Sequence, residues 1–364
     1  MTAPIRRVAI NTGGGDAPGL NAVIRAAVLA CLSYGWEVYG IQKGYGGLLG
    51  DEMVVRLDRD SVRGITHLGG TILGTTNRGS PLEWPLTQAD GSVVTVDRSD
   101  ELIQEFRRHG LDALIAIGGD GSLRIAQALC EKGLPVVGVP KTIDNDLAAT
   151  SVAFGFHTAV QTATEAIDKL HSTAESHERV MVVELMGRHT GWIALFAGVS
   201  STADVILIPE IPYDMDPVCR KIEERWASGR RFAIVVVAEG ALPRGGSASL
   251  VEAAGAGQAE RYGGAADRLA NAITACTGKE SRSLVLGHLQ RGGSPTAYDR
   301  LIALRFGAAA ARLVAAGEFG KMVALDPPVV RAVPLEDAVR ELKRVDVESD
   351  IVETARALGI CFGD

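Results

Sequence analysis

The 364-residue chain lacks most of the short signatures that would assign it quickly. Its five cysteines contain no C-x-x-C pair, which removes the local thiol motif of redox and zinc sites. No G-x-x-x-x-G-K-S/T occurs, so the chain is no ordinary P-loop nucleotidase, and no G-x-G-x-x-G marks a dinucleotide fold. His171 and His177 are too far apart for the H-E-x-x-H metal spacing and read as surface or structural residues. Positive charge is in deficit, with 37 Lys and Arg against 44 Asp and Glu and a net charge of −7, which argues against a nucleic-acid partner. No apolar run reaches membrane-spanning length, and no apolar core of signal-peptide length precedes the first glycine loop. A cytoplasmic protein is expected, with Cys31, Cys130, Cys219, Cys276 and Cys361 as buried thiols.

What is present is three strand-to-loop transitions rich in phosphate chemistry. The apolar run LPVVGV reads as a buried strand and ends in Pro140-Lys141-Thr142-Ile143-Asp144-Asn145-Asp146. A lysine, a hydroxyl and two carboxylates then stand at a strand end, where an open α/β sheet exposes its crevice. Lysine and threonine can hold a phosphate, one carboxylate can accept a hydroxyl proton, and another can hold magnesium. LDALIAI runs into Gly118-Gly119-Asp120-Gly121-Ser122 and then a helical pattern. Glycines admit a phosphate to the backbone, the helix start offers free N–H groups, and Asp120 suggests a bridging metal. RRVAINT, Gly13-Gly14-Gly15-Asp16-Ala17-Pro18-Gly19 and the helix LNAVIRAAVLACLSYG repeat the pattern. Two such loops on one sheet could cradle one polyphosphate. A phosphorylated ligand also needs concentrated arginines, despite the acidic total.

Further strand candidates are WEVYGIQ, RVMVVELM, ADVILIPEI, RFAIVVVAEG and SRSLVLGHL, with helical patterns such as HTAVQTATEAIDKLHST between several of them. That alternation predicts α/β architecture with mostly parallel, doubly wound sheets. The Gly/Ala/Ser-rich stretch 241–264 reads as a surface insertion, with Arg244 a surface charge. Trp192 is expected to pack in the core of the helix after Arg188 and His189.

Taken together, GGGDAPGLNAVIR, GGDGS, PKTIDND, MGRHTGWIA, PEIP and GHLQRGGSPTAYDR resemble the signatures of the 6-phosphofructokinase family. They come in the family's order and span about Val8 to Arg300. The resemblance implies phosphoryl transfer to the 1-hydroxyl of fructose 6-phosphate, with Mg2+ as cofactor. It also implies two similar domains with the active site in the cleft between them. We expect residues 1–152 plus 290–340 to bind nucleotide and 153–289 plus 341–364 to bind sugar phosphate. By the same resemblance Asp144 is the general base, Thr142 donates to the transferred group, and Arg188 lies closest to the migrating charge. Asp120 and Asp146 organise the metal. Gly14, Tyr45, Asn77, Arg78, Gly119, Asp120, Gly121, Ser122 and Lys141 match the donor site. Arg179, Met186, Gly187, Arg188, Glu239, Arg282, His288 and Arg291, with Thr142 and Asp144, match the sugar-phosphate site. Arg179 and Arg282 reach a neighbouring subunit's site in the family, so a homotetramer or homodimer with shared sites is expected.

The donor markers are mixed. Diphosphate-dependent members typically carry aspartate at position 121 and lysine at 141, whereas this chain carries Gly121 and Lys141. An aspartate would intrude on the α-phosphate of ATP, and glycine leaves that space open, so ATP is the expected donor and diphosphate the alternative. Asn77 stands where regulated bacterial enzymes have arginine, with Arg78 adjacent. Arg25 and Arg59 match effector-pocket positions, but Leu29 and His171 replace two further arginines there. A non-catalytic sensor of nucleotide or sugar phosphate, the remote alternative, would be expected to lose its carboxylates, and Asp120, Asp144 and Asp146 are all retained.

Overall fold

The computed structural model describes residues 5–50, 53–77, 79–246, 250–252 and 261–364. The chain forms two compact units. The first begins with Arg7–Thr12 (β1), Leu20–Ser33 (α1), Glu37–Ile41 (β2) and Val54–Leu57 (β3). Trp84–Thr87 (β4) and Val93–Val96 (β5) form a separate hairpin before Ser99–Arg108 (α2). Ala113–Gly118 (β6), Asp120–Glu131 (α3), Val136–Thr142 (β7) and Phe154–Gly155 (β8) follow. Helix α4, Phe156–His177, carries the chain out of this unit at Thr158. The second unit holds Val180–Leu185 (β9), Trp192–Ser200 (α5), Val205–Leu207 (β10), Met215–Ala227 (α6) and Ala233–Ala238 (β11). The short pair Leu250–Glu252 (β12) and Arg261–Tyr262 (β13), Ala265–Thr277 (α7) and Ser281–Val285 (β14) come next. The chain rejoins the first unit over Arg291–Leu342, as Ala297–Ala316 (α8), Lys321–Asp326 (β15), Val329–Pro334 (β16) and Leu335–Val339 (α9). Lys343–Asp364, with Asp350–Ala357 (α10), returns to the second.

The large sheet runs β16-β15-β7-β6-β1-β2-β3, with β8 beside β7. Only β3 and β16 pair antiparallel to their neighbours, at the two edges. Strands β1, β6 and β7 are buried almost throughout, as expected of central strands in a parallel sheet covered on both faces. From β1 the chain goes to β2 on one side, and later to β6 on the other. That reversal is the switch point at which an open sheet leaves a crevice at its strand ends. The second sheet, β10-β11-β9-β14, is wholly parallel and reverses around β9.

The break between units falls at Thr158, inside α4, rather than at a loop near residue 152. The first turn of α4 is tied to the first unit by Asp299. Its Oδ2 accepts from Thr158 N at 2.7 Å and from Thr158 Oγ1 at 2.6 Å. The cysteine expectation needs correction. Cys219 on α6 and Cys276 on α7 form a disulfide with Cα atoms 6.3 Å apart. Their separation of 57 residues leaves no local motif; the two helices meet only in the folded unit. Cys31, Cys130 and Cys361 are free thiols, and burial pushes the Cys31 thiol up to about 12. Within 241–264, Arg244 forms an exposed ion pair with Asp214 at 2.8 Å. Arg78 and residues 247–249 and 253–260 lie outside the described residues.

Candidate active site

In the first unit, parallel register brings three loops to one sheet end, since Thr12 pairs with Ile117 and Gly118 with Pro140. The two glycine loops flank the switch point between β1 and β6. They touch, with Gly13 N donating to Ile117 O at 2.9 Å. A side chain at Gly13 or Gly118 would overlap Ser122, so the backbone is close-packed there. Gly14, at φ 77°, turns the first loop and donates its N–H to Thr76 O at 3.1 Å, which fixes the strand of chain carrying exposed Asn77. Tyr45 is buried, and its hydroxyl donates to Ser122 O at 2.9 Å.

Helix α3 begins without a capping side chain: Gly119 is its N-cap and Asp120 its first residue. The open N–H groups and the helix dipole make this end attractive to phosphate. Asp120 is held by Arg124 one turn later, whose Nε lies 3.0 Å from both carboxylate oxygens. That contact was not anticipated from the sequence, though its i, i+4 spacing is legible.

Strand β7 supplies the third loop. Lys141 is buried, and its ammonium donates to Gly15 O. Burial first, and then the Arg291 guanidinium, push its pKa down to about 7, against the pull of Asp16, Asp144 and Asp146. Arg291 belongs to this unit and donates Nη1 to Asp16 O at 3.1 Å. Thr142 Oγ1 accepts from Asp144 N at 3.0 Å and donates to Asp146 Oδ1 at 3.2 Å. Asn145, at φ 51°, sits between the two carboxylates and accepts from Ala153 N at 3.2 Å. Burial, and then the charge of Asp144, raise the Asp146 pKa, and Asp120 adds to the same push.

Mutual repulsion among Asp120, Asp144 and Asp146 is what a divalent cation would relieve. Among the described residues no cluster of three or more His, Cys, Asp or Glu could hold a metal alone. A divalent cation at Asp120 and Asp146 would need water and substrate phosphates to complete its shell.

In the second unit the ends of β9 and β11 carry Met186-Gly187-Arg188 and Glu239. Gly187 takes φ 145°, a region closed to other residues, and its carbonyl accepts from Gly240 N at 3.1 Å. Glu239 N donates to Leu185 O at 2.9 Å. His288 lies in the short helix Gly287–Arg291 after β14, whose exit is tied to β9 by Leu286 N to Glu184 O at 3.0 Å. Arg179 and Arg282 stand apart from these. Arg179 precedes β9, and Arg282 pairs in register with Met181 near its start. At about 3.3 Å per residue, the six-residue strand separates them from Arg188 by on the order of 20 Å. The two share Glu280: Arg179 Nε reaches it at 2.9 Å and Arg282 Nη2 contacts it as well. These contacts, the Arg179 hydrogen bond first, hold the Glu280 carboxyl below its ordinary range.

Trp192 is half-buried, stacks edge-on to Phe196, and donates Nε1 to Lys343 O at 2.8 Å. His171 bonds through Nε2 to Ser201 O at 2.8 Å.

The family model described as Phosphofructokinase matches residues 7–314. The chain is 52% identical over 367 residues to an ATP-dependent 6-phosphofructokinase of Chloroflexus aggregans, covering 100% of this chain and 99% of that protein. It is 47% identical to ATP-dependent 6-phosphofructokinase 2 of Clostridium perfringens, over the full length of both. Among solved structures it superposes on phosphofructokinase of Pichia pastoris in the T-state with a TM-score of 0.80 at 30% identity, covering 99% of this chain and 37% of that longer one.

Proposed function

The chain belongs to the phosphofructokinase family, and from that premise we infer how it works. It is an enzyme that transfers the terminal phosphoryl group of ATP to the 1-hydroxyl of fructose 6-phosphate, giving fructose 1,6-bisphosphate and ADP in glycolysis. The reading at residue level rests on one observation: Asp120, Lys141, Thr142, Asp144 and Asp146 converge with two glycine loops at one switch point of the sheet.

The donor phosphates lie against Gly14, Gly119, Gly121 and Ser122, over the open start of α3. Lys141 exchanges the Gly15 carbonyl for a phosphate oxygen. Tyr45 and Asn77 border the same site. Asp144 takes the proton of the 1-hydroxyl as that oxygen attacks. Its backbone N–H is occupied by Thr142 Oγ1, which fixes the loop; the Thr142 hydroxyl then turns its one proton from Asp146 to the transferred group. Arg188 compensates charge on the migrating phosphoryl. Met186, Gly187, Glu239, His288 and Arg291 hold the sugar phosphate. Asp120 and Asp146 would hold Mg2+, which would supply positive charge to offset that on the transferred phosphoryl group. Arg179 and Arg282, remote from Arg188 on the same sheet, serve the site of a neighbouring subunit in a homodimer or homotetramer. A glycolytic role supports a cytoplasmic location.

Steady-state assays with ATP and diphosphate side by side test the reading. ATP-dependent formation of fructose 1,6-bisphosphate is expected. Lys141 is the feature that favours diphosphate, and a wild type preferring diphosphate would overturn the donor assignment.

A further inference from the structure

Glu210, three residues after β10, has no role in the chemistry above, yet it joins two distant segments of the second unit. Its Oε1 accepts from Gly191 N at 3.1 Å and from Val345 N at 2.9 Å, and its Oε2 accepts from Gly191 N at 3.0 Å. Burial pushes the carboxyl up, and the N–H groups of Val345 and Gly191 oppose that shift. Gly191 is the N-cap of α5, and its backbone is packed closely enough on Ile208 that a side chain there would overlap it. The next residue adds a second tie, Trp192 Nε1 to Lys343 O at 2.8 Å, with the Lys343 ammonium 5.8 Å from the indole centroid.

These contacts bear on Arg188 because of where the loop is held. Its upstream end is fixed by Gly240 N on Gly187 O at 3.1 Å. Its downstream end is Gly191, fixed by Glu210. Only Arg188, His189 and Thr190 lie between. We propose that Glu210 is a positioning residue: its carboxylate anchors the 187–191 loop to segment 343–345 and so sets the aim of Arg188. The inference rests on the role given to Arg188 above. It uses the carboxylate specifically. An amide with its oxygen at the Oε1 position still faces both N–H groups but sets an NH2 donor against Gly191 N, where Oε2 now accepts at 3.0 Å; flipped, it sets that donor against Val345 N, so one anchor is weakened or lost in either orientation.

Displacement of a reacting group by about 1 Å can cost about 10²-fold in rate. Glu210→Gln in the full chain is therefore expected to lower kcat by about ten-fold or more, with the KM for ATP within about two-fold of wild type. Hydrogen exchange of the 186–192 amides should speed up in the same variant. Trp192→Phe removes only the second tie and should move both readouts the same way by less. Because the two ties hold one loop, the effects on kcat in the double variant should fall short of the product of the single effects. Purely structural support would lower the melting temperature and the folded fraction, and leave kcat per folded enzyme unchanged. That outcome, or unaltered exchange over 186–192, overturns the proposal. If Glu210→Gln fails to melt cooperatively, Trp192→Phe decides by the same two readouts, with wild-type values counting against it. A wild type inactive toward ATP and fructose 6-phosphate would instead overturn the assigned reaction, while the exchange rates still report on the anchor.

Discussion

Position 121 is where the donor choice can be perturbed without disturbing the protein. Gly121 is the second residue of α3, and a Cβ built there meets no heavy atom within 4 Å. Its φ is not in the left-handed region, so Gly121→Asp needs no backbone change. An acid in the first turn of a helix contributes about 0.3–1 kcal/mol of stability, so the variant should melt at or slightly above the wild-type temperature. Any loss must then come from the ligand. A carboxylate about 4 Å from the α-phosphate repels it by about 1–4 kcal/mol, depending on solvation. That corresponds to about 5-fold to about 10³-fold in kcat/KM for ATP. Diphosphate has no third phosphate and no nucleoside, so its kcat/KM should hold far better. The assay is the ratio of the two specificity constants, which cancels differences in active fraction. An equal fall with both donors would refute the reasoning about Gly121. So would ATP use within two-fold of wild type.

Asp144→Asn keeps the side chain's size and removes the proton acceptor; kcat should fall by about 10²-fold or more with little change in fructose 6-phosphate affinity, and near-normal kcat at neutral pH would remove Asp144 from the role. Mixing Arg179→Ala with Asp144→Asn protein should restore part of the activity if sites are shared between subunits; no recovery despite demonstrated subunit exchange would count against sharing. Lys141 should couple donor binding to pH. Its pKa of about 7 means the ammonium is lost as pH rises through that value, and bound phosphate restores it. Through Lys141, ATP binding should therefore take up a proton above pH 7 and none well below it. Calorimetry in two buffers of different ionisation enthalpy measures this, and Lys141→Met should abolish it.

The parts of the site that could be read from sequence are those whose chemistry is local. LDALIAI-GGDGS and LPVVGV-PKTIDND put strand, turn and charged group in consecutive residues, and the structure has β6, α3 and β7 at those places. Apolar runs bounded by glycine are read reliably because burial on both faces leaves little choice of residue. The short antiparallel pieces were missed. β16 alternates buried and exposed residues only weakly, and the β4–β5 hairpin is largely exposed, so neither carries a strong pattern. The Cys219–Cys276 bond and the Glu210 anchor were illegible for another reason. Each joins residues that meet only because two elements pack, 57 positions apart in one case and 135 between Glu210 and Val345 in the other. No window along the chain contains both partners.

The charges assigned to substrates are already engaged within the fold, and this shapes what binding can contribute. Asp120 holds Arg124, Lys141 and Arg291 donate to the Gly15 and Asp16 carbonyls, and Glu280 holds Arg179 and Arg282. The donor phosphate that takes Lys141 and the sugar phosphate that takes Arg291 must each displace a loop carbonyl. The net gain is then the difference between a charge-assisted bond and a neutral one, not the whole bond. For Lys141 the difference is large, because burial has lowered its pKa and a bound anion would raise it again. For the exposed pair Asp120–Arg124 it is small, since such pairs contribute about 0–1 kcal/mol. A divalent ion at Asp120 therefore displaces a weak competitor. The buried lysine, more than the exposed carboxylate, is the group whose electrostatics distinguish an occupied donor site from an empty one.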